Sequence, residues 1–284
     1  MEFYQSYHPI TATPFICNDQ YMEFQPCSAL KPYIKCFWGT KKPAKQSKTN
    51  IPTERIITPD TCMDIIFEVD YSSNKIASIF CGIDDHTFCT HNDNREEKVY
   101  STFAIRFYAW SAMLFSEESM CDTRNGRFDA VRHFPKITRE IEPLLFDIAD
   151  MDGFITIAEQ VLLKNFCERH KNAVVSESVA QILRCKGNLR AEQLAKELHI
   201  SSRQLQRLFQ EYVGVSPKKL SSLVRYQYLW HDIVCSPRFD VSDAVYRYGY
   251  TDQSHLLHEF KEFHSMNITQ AREYAQQYVA FLQA

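Results

Sequence analysis

Residues 191–217 read AEQLAKELHISSRQLQRLFQEYVGVSP, and this stretch decides the fold of the last third of the chain. Its first part predicts a short amphipathic helix that ends at a tight turn around His199, where Ser201 or Ser202 can cap the next helix. The second helix repeats apolar side chains at i, i+3, i+4 and i+7, which predicts a buried face. That face consists of Leu205, Leu208, Phe209 and Tyr212. Two helices joined by a tight turn are therefore expected.

Long polar side chains occupy the opposite face of this second helix at the same spacing. They are Arg203, Gln206, Arg207 and Gln210. Arginine and glutamine are the side chains that pair with guanine and adenine edges through two hydrogen bonds. An ordinary solvated helix face is the alternative, and a single such helix would favour that alternative.

A second copy of the pattern favours base reading over a solvated helix face. Residues 245–263 read VYRYGYTDQSHLLHEFKEF. Gly249 can adopt the positive φ that the turn requires, and Asp252 or Thr251 can cap the helix that follows. The inward positions of that helix are Leu256, Phe260 and Phe263, and the outward ones are Gln253, Ser254, His255, His258, Lys261 and Glu262. Between the copies, Pro217 to Val234 predicts one connecting helix. At about 1.5 Å per residue it spans roughly 25 Å, so both second helices could enter successive major grooves about 34 Å apart.

The two motifs, in this order and with this connecting helix, resemble the DNA-binding domain of the AraC/XylS family over Glu177 to Tyr274. The resemblance implies a transcriptional regulator with an all-α domain of two helix-turn-helix units that binds double-stranded DNA. The family's base-reading positions fall on Arg203, Gln206, Arg207, Gln253, Ser254, His255 and His258. The family commonly has Arg at position 258 and Gly-x-x-Pro at Ser265 to Ile268. We therefore expect the first unit to supply most of the affinity.

The amino-terminal half has a different character, which predicts an α+β chain. Short apolar or alternating runs such as 65–69 and 103–108 predict strands, and the turn-rich stretches 41–52 and 84–97 predict long loops. After Phe134, helical spacing predicts a hairpin of two helices, whose apolar side packs either on the strands or on its twin in another subunit. Residues 168–175 predict a linker. The expected parts are a strand domain at 1–127, the hairpin at 128–172 and the DNA-binding domain at 173–284.

Three segments of the strand region are similar to the uncharacterised sensor domain of one branch of the same family. They are 26–38, 55–67 and 103–108, although Thr61 replaces a common glycine there and Ala109-Trp110-Ser111 replaces Pro-Gly-Gly. Sensors of the family typically combine a cupin-like barrel with a dimerisation hairpin, which implies a small-molecule effector and a homodimer. Alternation places Arg106 opposite Phe103, Ile105 and Phe107, so it could clamp an anionic effector beside Trp38 and Tyr108. A structural ion pair is the favoured alternative for Arg106.

Length and composition set the broad class of the protein. The chain has 284 residues and a net charge of −3, and residues 173–284 carry 13 Lys and Arg against 11 Asp and Glu, a weak basic bias. No basic stretch followed by an apolar run opens the chain, and no eighteen apolar residues occur in succession. We therefore expect a cytoplasmic protein without a membrane partner, whose ten cysteines are reduced.

Cys81, His86, Cys89 and His91 lie close together in sequence and could hold zinc or sense oxidation. Their spacing matches no standard metal signature, so free cysteines packed in a core are the favoured reading. Three functions remain open: a regulator that responds to a small molecule, the same regulator with a redox or metal input, and a cupin-type enzyme fused to a DNA-binding domain. The strand region has no His-x-His with a following carboxylate, so we expect no enzyme and no cofactor. RNA polymerase is a candidate partner.

Overall fold

The computed structural model describes residues 6–13, 21–45, 54–91 and 99–276, and it confirms the α+β organisation. The strands are β1 (Ala12–Thr13), β2 (Met22–Phe24), β3 (Ile34–Gly39), β4 (Ala44–Lys45), β5 (Glu54–Ile57), β6 (Cys62–Asp70), β7 (Lys75–Cys81), β8 (Phe88–His91), β9 (Val99–Tyr108) and β10 (Arg127–Asp129). The helices are α1 (Ala130–His133), α2 (Pro135–Ile141), α3 (Met151–Asn165), α4 (Ala173–Arg184), α5 (Ala191–Glu197), α6 (Ser202–Val213), α7 (Pro217–Cys235), α8 (Val241–Tyr248), α9 (Gln253–His264) and α10 (Ile268–Gln276). No helix in the described part combines the length and the apolar character that a membrane span requires.

The strands form two antiparallel sheets. The large sheet has the order β10-β7-β6-β9-β3-β2, with β4 also paired to β9, and the small sheet has the order β1-β5-β8. Thr11, next to β1, accepts a hydrogen bond from Arg106 on β9, so the small sheet lies on the Arg106 face of the large one. Hydrogen bonds close no complete ring of strands within the described residues. The cupin-like interior expected from the resemblance is thus the space between two sheets.

Helices cover the other face of the large sheet. Phe154 on α3 stacks on Phe103 with ring centroids 5.0 Å apart, and it meets Phe37 and Phe67 edge to face. Phe134, before α2, stacks on Phe107. Side chains along β9 therefore alternate between the two faces of the sheet as predicted: Phe103 and Phe107 lie under the helices, and Arg106 lies on the opposite face. The sequence leaves open whether the apolar side of the hairpin packs on the strands or on a second subunit. In the structure it packs on the large sheet of the same chain.

Two boundaries differ from the sequence prediction. The stretch expected as a loop at 84–97 contains β8, because residues 88–91 pair with β5, more than thirty positions earlier in the chain. Local composition carries no signal of such a distant partner. The linker expected at 168–175 is helical at its end, since the Asn172 side chain accepts a hydrogen bond from the Val175 backbone N–H and caps α4. In the other predicted loop, residues 46–52 lie outside the described residues, and β4 precedes them.

The helical domain buries a histidine at its centre. His264 is 1% exposed, its Nδ1 lies 2.8 Å from the Tyr226 hydroxyl, and its ring stacks on Phe260 and packs against Trp230. Burial lowers the pKa of His264 to about 3. The folded domain therefore holds this imidazole in its neutral form.

This buried histidine predicts a loss of stability in mild acid. Below the unfolded-state pKa of about 6.5 the unfolded chain binds a proton that the folded state refuses, so the free energy of unfolding falls as pH falls. His264 alone should cost about 1 kcal/mol between pH 6.5 and 5.5. Urea unfolding of the wild type and of His264→Gln at several pH values measures the difference, with the exposed His258→Gln as control. Parallel pH profiles for wild type and His264→Gln would contradict the prediction.

Candidate nucleic-acid interface

The first helix-turn-helix unit consists of α5, a turn and α6. His199 makes the turn with φ of 55°, and the Ser201 side chain accepts a hydrogen bond from the Gln204 backbone N–H and caps α6. Leu205, Leu208 and Phe209 are buried as predicted, and Gly214 ends the helix in the left-handed conformation. The capping and turn residues of the sequence thus fix the angle at which α6 leaves the domain.

The outward face of α6 presents the predicted reading residues. Arg203, Gln206 and Arg207 are exposed, and Gln210 is half-buried. The Arg207 side chain is 71% exposed, and its guanidinium lies 4.0 Å from the Glu211 carboxylate, a contact too weak to hold it. These four side chains line one wall of a cavity of about 690 Å³. The structure brings all four together on one accessible surface.

The second unit repeats this geometry with α8 and α9. Gly249 makes the turn with φ of 67°, and a Cβ at this position would lie 2.2 Å from the Asn188 side chain, so both conformation and space require glycine. Asp252 rather than Thr251 caps α9, since its carboxylate accepts a hydrogen bond from the His255 backbone N–H at 2.8 Å. Leu256, Phe260 and Phe263 are buried as expected.

The reading positions of the second unit are all exposed, but two of them already have neighbours. Gln253 donates a hydrogen bond to Ser242 at 2.9 Å, and the His255 ring meets Tyr250 edge to face; Ser254 and His258 complete the set. Ser265 ends α9 with φ of 63°, a conformation that the family's glycine adopts without strain. Of the departures noted in the sequence, Ser265 thus ends α9 and Ile268 begins α10.

The connecting helix α7 is held to the second unit by an ion pair that the sequence did not predict. Arg225 lies 2.6 Å from the Glu259 carboxylate on α9, and its guanidinium stacks over Tyr250 at 4.3 Å. The Tyr250 hydroxyl donates to the same carboxylate at 2.8 Å. The sequence shows an arginine on the predicted connecting helix, but it does not identify the partner of that arginine, because Glu259 is 34 positions away. This cluster fixes α9 relative to α7.

A polar cleft of about 630 Å³ separates the two units. Gln206 of α6 and His255 of α9 both line it, together with the start of α7. Arg190 and Lys218 contribute exposed positive charge to its wall, and neither forms an ion pair with any residue that the structure describes. The cleft thus lies between α6 and α9. Neither basic residue was singled out from the sequence, although Lys218 follows Pro217 at the start of the connecting helix.

Comparison with known proteins agrees with this geometry. A helix-turn-helix domain model of the AraC type matches residues 194–274, and a domain of unknown function, DUF6597, matches residues 22–129. Residues 194–274 therefore form an AraC-type DNA-binding domain. No curated protein matches the sequence.

Solved structures similar to this chain share little sequence with it. The carboxyl-terminal domain of AraT, a response regulator from Geobacillus stearothermophilus, is 21% identical, with 36% of this chain and 85% of that chain covered and a TM-score of 0.34. An AraC-type DNA-binding domain-containing regulator from Chromobacterium violaceum is 18% identical, with 37% and 98% covered and a TM-score of 0.32. ToxT from Vibrio cholerae is 14% identical, with 84% and 98% covered and a TM-score of 0.41.

In the amino-terminal domain, Arg106 is buried in a polar cluster between the sheets. Its Nε lies 2.9 Å from the Asp64 carboxylate, its Nη1 donates to Thr11 at 2.8 Å, and Glu23 lies 3.9 Å away. Its guanidinium lies 5.4 Å from the centre of the Trp38 ring, and the Trp38 indole N–H donates to Asp64. Burial opposes the charge, but the combined attraction of Asp64, Asp60 and other neighbouring groups more than offsets that effect, so the pKa of Arg106 is well above its ordinary value.

The structure therefore brings two of the three predicted effector residues together. Tyr108 shares the strand face with Arg106 but stacks on Trp110, with ring centroids 5.2 Å apart. Thr61, which stands where the family branch has glycine, keeps a left-handed backbone with φ of 63°. Its hydroxyl hydrogen-bonds with the Tyr7 hydroxyl at 2.9 Å, and the Tyr7 ring packs on Tyr228 of α7. This departure from the family pattern thus supports the contact between the two domains.

The predicted cysteine and histidine set is divided between the sheets. Cys81 is buried on β7, Cys89 is exposed on β8, and His86 is exposed beside Asp85 in the turn between them. The His91 side chain lies outside the described residues. Burial raises the pKa of Cys81 to about 12, which keeps this thiol protonated and poorly reactive. Among the described residues, no three His, Cys, Asp or Glu side chains are arranged to hold a metal ion.

Proposed function

We propose that this regulator binds operator DNA through both helix-turn-helix units and that a small anionic molecule in the amino-terminal domain controls the binding. One observation supports DNA binding by both units: the predicted reading faces of α6 and α9 are both exposed, on either side of the polar cleft. A DNA duplex that enters with successive major grooves on α6 and α9 presents the backbone between those grooves to this cleft. Arg203, Gln206 and Arg207 then read one half-site, and the α9 residues read the other.

The cleft residues Arg190 and Lys218 would bind phosphates between the half-sites. Such contacts position the protein on DNA and carry no sequence information, but they supply affinity through the release of counterions. The reading residue Gln206 lines the same cleft, so phosphate and base contacts would form together when α6 docks.

Replacing Lys218 with Ala should weaken DNA binding equally for all sequences and reduce the slope of log K against log salt by about 1. The reason is the loss of one phosphate contact. Fluorescence anisotropy with selected and random duplexes at several salt concentrations measures both effects. Lys196→Ala serves as control, because Lys196 is exposed on α5 and does not line the cleft. An unchanged slope for Lys218→Ala would remove this residue from the interface.

A chain of hydrogen bonds supports the control of DNA binding by the amino-terminal domain. Arg106 donates to Thr11, and the Thr11 hydroxyl donates to Asp60 at 2.5 Å. Beside them, the Gln227 side chain of α7 accepts from the Ile10 N–H at 2.7 Å and donates to the carbonyls of Ile10 and Pro59. An anionic molecule that displaces Asp64 from Arg106 would disturb the Arg106–Thr11 hydrogen bond. Thr11 follows Ile10, whose backbone is hydrogen-bonded to Gln227 on α7, the helix that joins the two DNA-binding units.

Native mass spectrometry of protein isolated from cells tests this proposal. We expect the wild type to carry a small molecule that is lost on denaturation, and Arg106→Lys, which cannot form the paired hydrogen bonds, to lack it. Thermal unfolding of the variant checks that it is folded. A wild type without any bound molecule would contradict effector control.

The same spectra, recorded before and after an oxidant, address the thiol input. Burial raises the pKa of Cys36 and Cys81 to about 12 and that of Cys62 well above its ordinary value, which argues against these thiols as sensors. The spectra also report subunit number. A homodimer stays a prediction, as does contact with RNA polymerase. Because its apolar side lies on its own sheet, the hairpin would have to form a dimer through another surface.

A further inference from the structure

A loop of the amino-terminal domain packs against the first recognition helix. The docking loop, residues 116–126, connects the turn after β9 to β10. The Met120 backbone N–H donates to the Glu211 carbonyl of α6 at 2.8 Å, and the Met120 side chain is fully buried. At the end of α6, a Cβ on Gly214 would lie 2.8 Å from the Thr123 hydroxyl and 2.9 Å from the Met120 carbonyl. The loop and the helix therefore approach as closely as glycine allows.

The docking loop also borders the reading face of α6. Ser119 and Cys121 line the same cavity as Arg203, Gln206, Arg207 and Gln210. The major groove of B-DNA is about 12 Å wide, and a helix with its side chains is about 10–12 Å across, so an inserted helix leaves little room for protein at its flanks. The docking loop stands on one flank of α6, where a DNA strand would have to run.

The charge of the docking loop adds repulsion to this steric conflict. Glu117, Glu118 and Asp122 are exposed on it, against one exposed cation, Arg124. Two of the four have partners within the amino-terminal domain, Glu117 with Lys136 at 2.6 Å and Arg124 with Asp85 at 3.4 Å. Phosphates brought to α6 would meet a net negative surface.

We propose that the docking loop is an autoinhibitory contact, and that α6 enters the major groove only after the loop has left it. This inference rests on the proposed DNA-binding function and specifies how the amino-terminal domain regulates it. The attachment includes one backbone hydrogen bond and one buried methionine side chain, so it can be released without unfolding either domain. The Asp85–Lys219 ion pair at 3.3 Å joins the same two domains beside the loop.

A reversible tether tests the inference on the full chain. The hydrogen bond from the Met120 N–H to the Glu211 carbonyl places the next residue, Cys121, beside Glu211, and both line the same cavity. Glu211→Cys should therefore form a disulfide with the native Cys121 when oxidised, in a background with Cys89, Cys185 and Cys235 changed to Ser. We expect the tethered protein to bind selected DNA at least about tenfold more weakly than the reduced protein, with full recovery after a thiol reductant. The matched control combines Glu211→Cys with Cys121→Ser and carries a methylthio cap, which gives similar bulk without a tether.

The opposite change provides a second readout. Met120→Ala should weaken the docked state and raise DNA affinity severalfold, whereas Met113→Ala, at a half-buried methionine of the same domain, should leave affinity unchanged. Equal binding by the tethered and reduced proteins would overturn autoinhibition and leave the proposed function standing. Failure of the reduced protein to bind any selected DNA would overturn the proposed function itself.

Discussion

Replacing Asp64 with Ala should lower the free energy of unfolding of the amino-terminal domain by about 3–5 kcal/mol. The Arg106 side chain is 5% exposed, and Asp64 is its nearest carboxylate, so the variant leaves a buried guanidinium without its principal partner. The Trp38 indole N–H loses its acceptor at the same time. Denaturant unfolding followed by tryptophan fluorescence measures the loss.

Two further variants sharpen this measurement. Asp64→Asn keeps an acceptor without the charge and should lose less stability than Asp64→Ala, and the exposed Asp147→Ala should change stability little. If Asp64→Ala cost under about 1 kcal/mol, Arg106 would not depend on Asp64. Millimolar acetate should restore part of the stability of Asp64→Ala, because a small carboxylate can take the vacated place.

Substituting Ala for Arg207, and separately for Arg203, should each cost about 1–3 kcal/mol of specific DNA binding, roughly 5- to 150-fold in Kd. Both side chains are exposed on the reading face of α6, and each can pair with guanine through two hydrogen bonds. Binding to selected and single-base-changed duplexes at one salt concentration measures the cost and shows which base position loses its preference. Arg184→Ala, outside both units, is the control.

The second unit should be less sensitive than the first. Ala at His258 removes a side chain that stands where the family commonly has arginine, so we expect a smaller loss than for either arginine of α6. A loss at His258 that equals or exceeds the loss at Arg207 would reverse the assignment of the stronger unit.

Sequence reasoning succeeded where the deciding residues are close neighbours in the chain. The caps Ser201 and Asp252, the turn glycine Gly249 and the inward faces of α6 and α9 all depend on residues within about ten positions, and the structure has them as predicted. The face of β9 that carries Arg106 followed from alternation alone.

What the sequence could not predict depends on distant partners. β8 exists because β5 pairs with it, Arg225 is held by a glutamate on another helix, and Arg106 meets Asp64 through the register of β6 and β9. The docking loop contains no sequence motif, and its proposed autoinhibitory role follows only from its position against α6. Register and domain packing are tertiary properties that local periodicity does not encode.

Selection of binding sites from a random double-stranded DNA library with the reduced 284-residue chain tests DNA binding by both units most directly. We predict recovery of two half-sites with centres about one helical turn, roughly 10 base pairs, apart, because α6 and α9 lie on either side of one cleft. Stronger base preference is expected in the half-site that Arg203 and Arg207 read. A recovered pool without enrichment over random sequence, or with a single short half-site that Arg203→Ala and Arg207→Ala leave unchanged, would contradict DNA binding through both units.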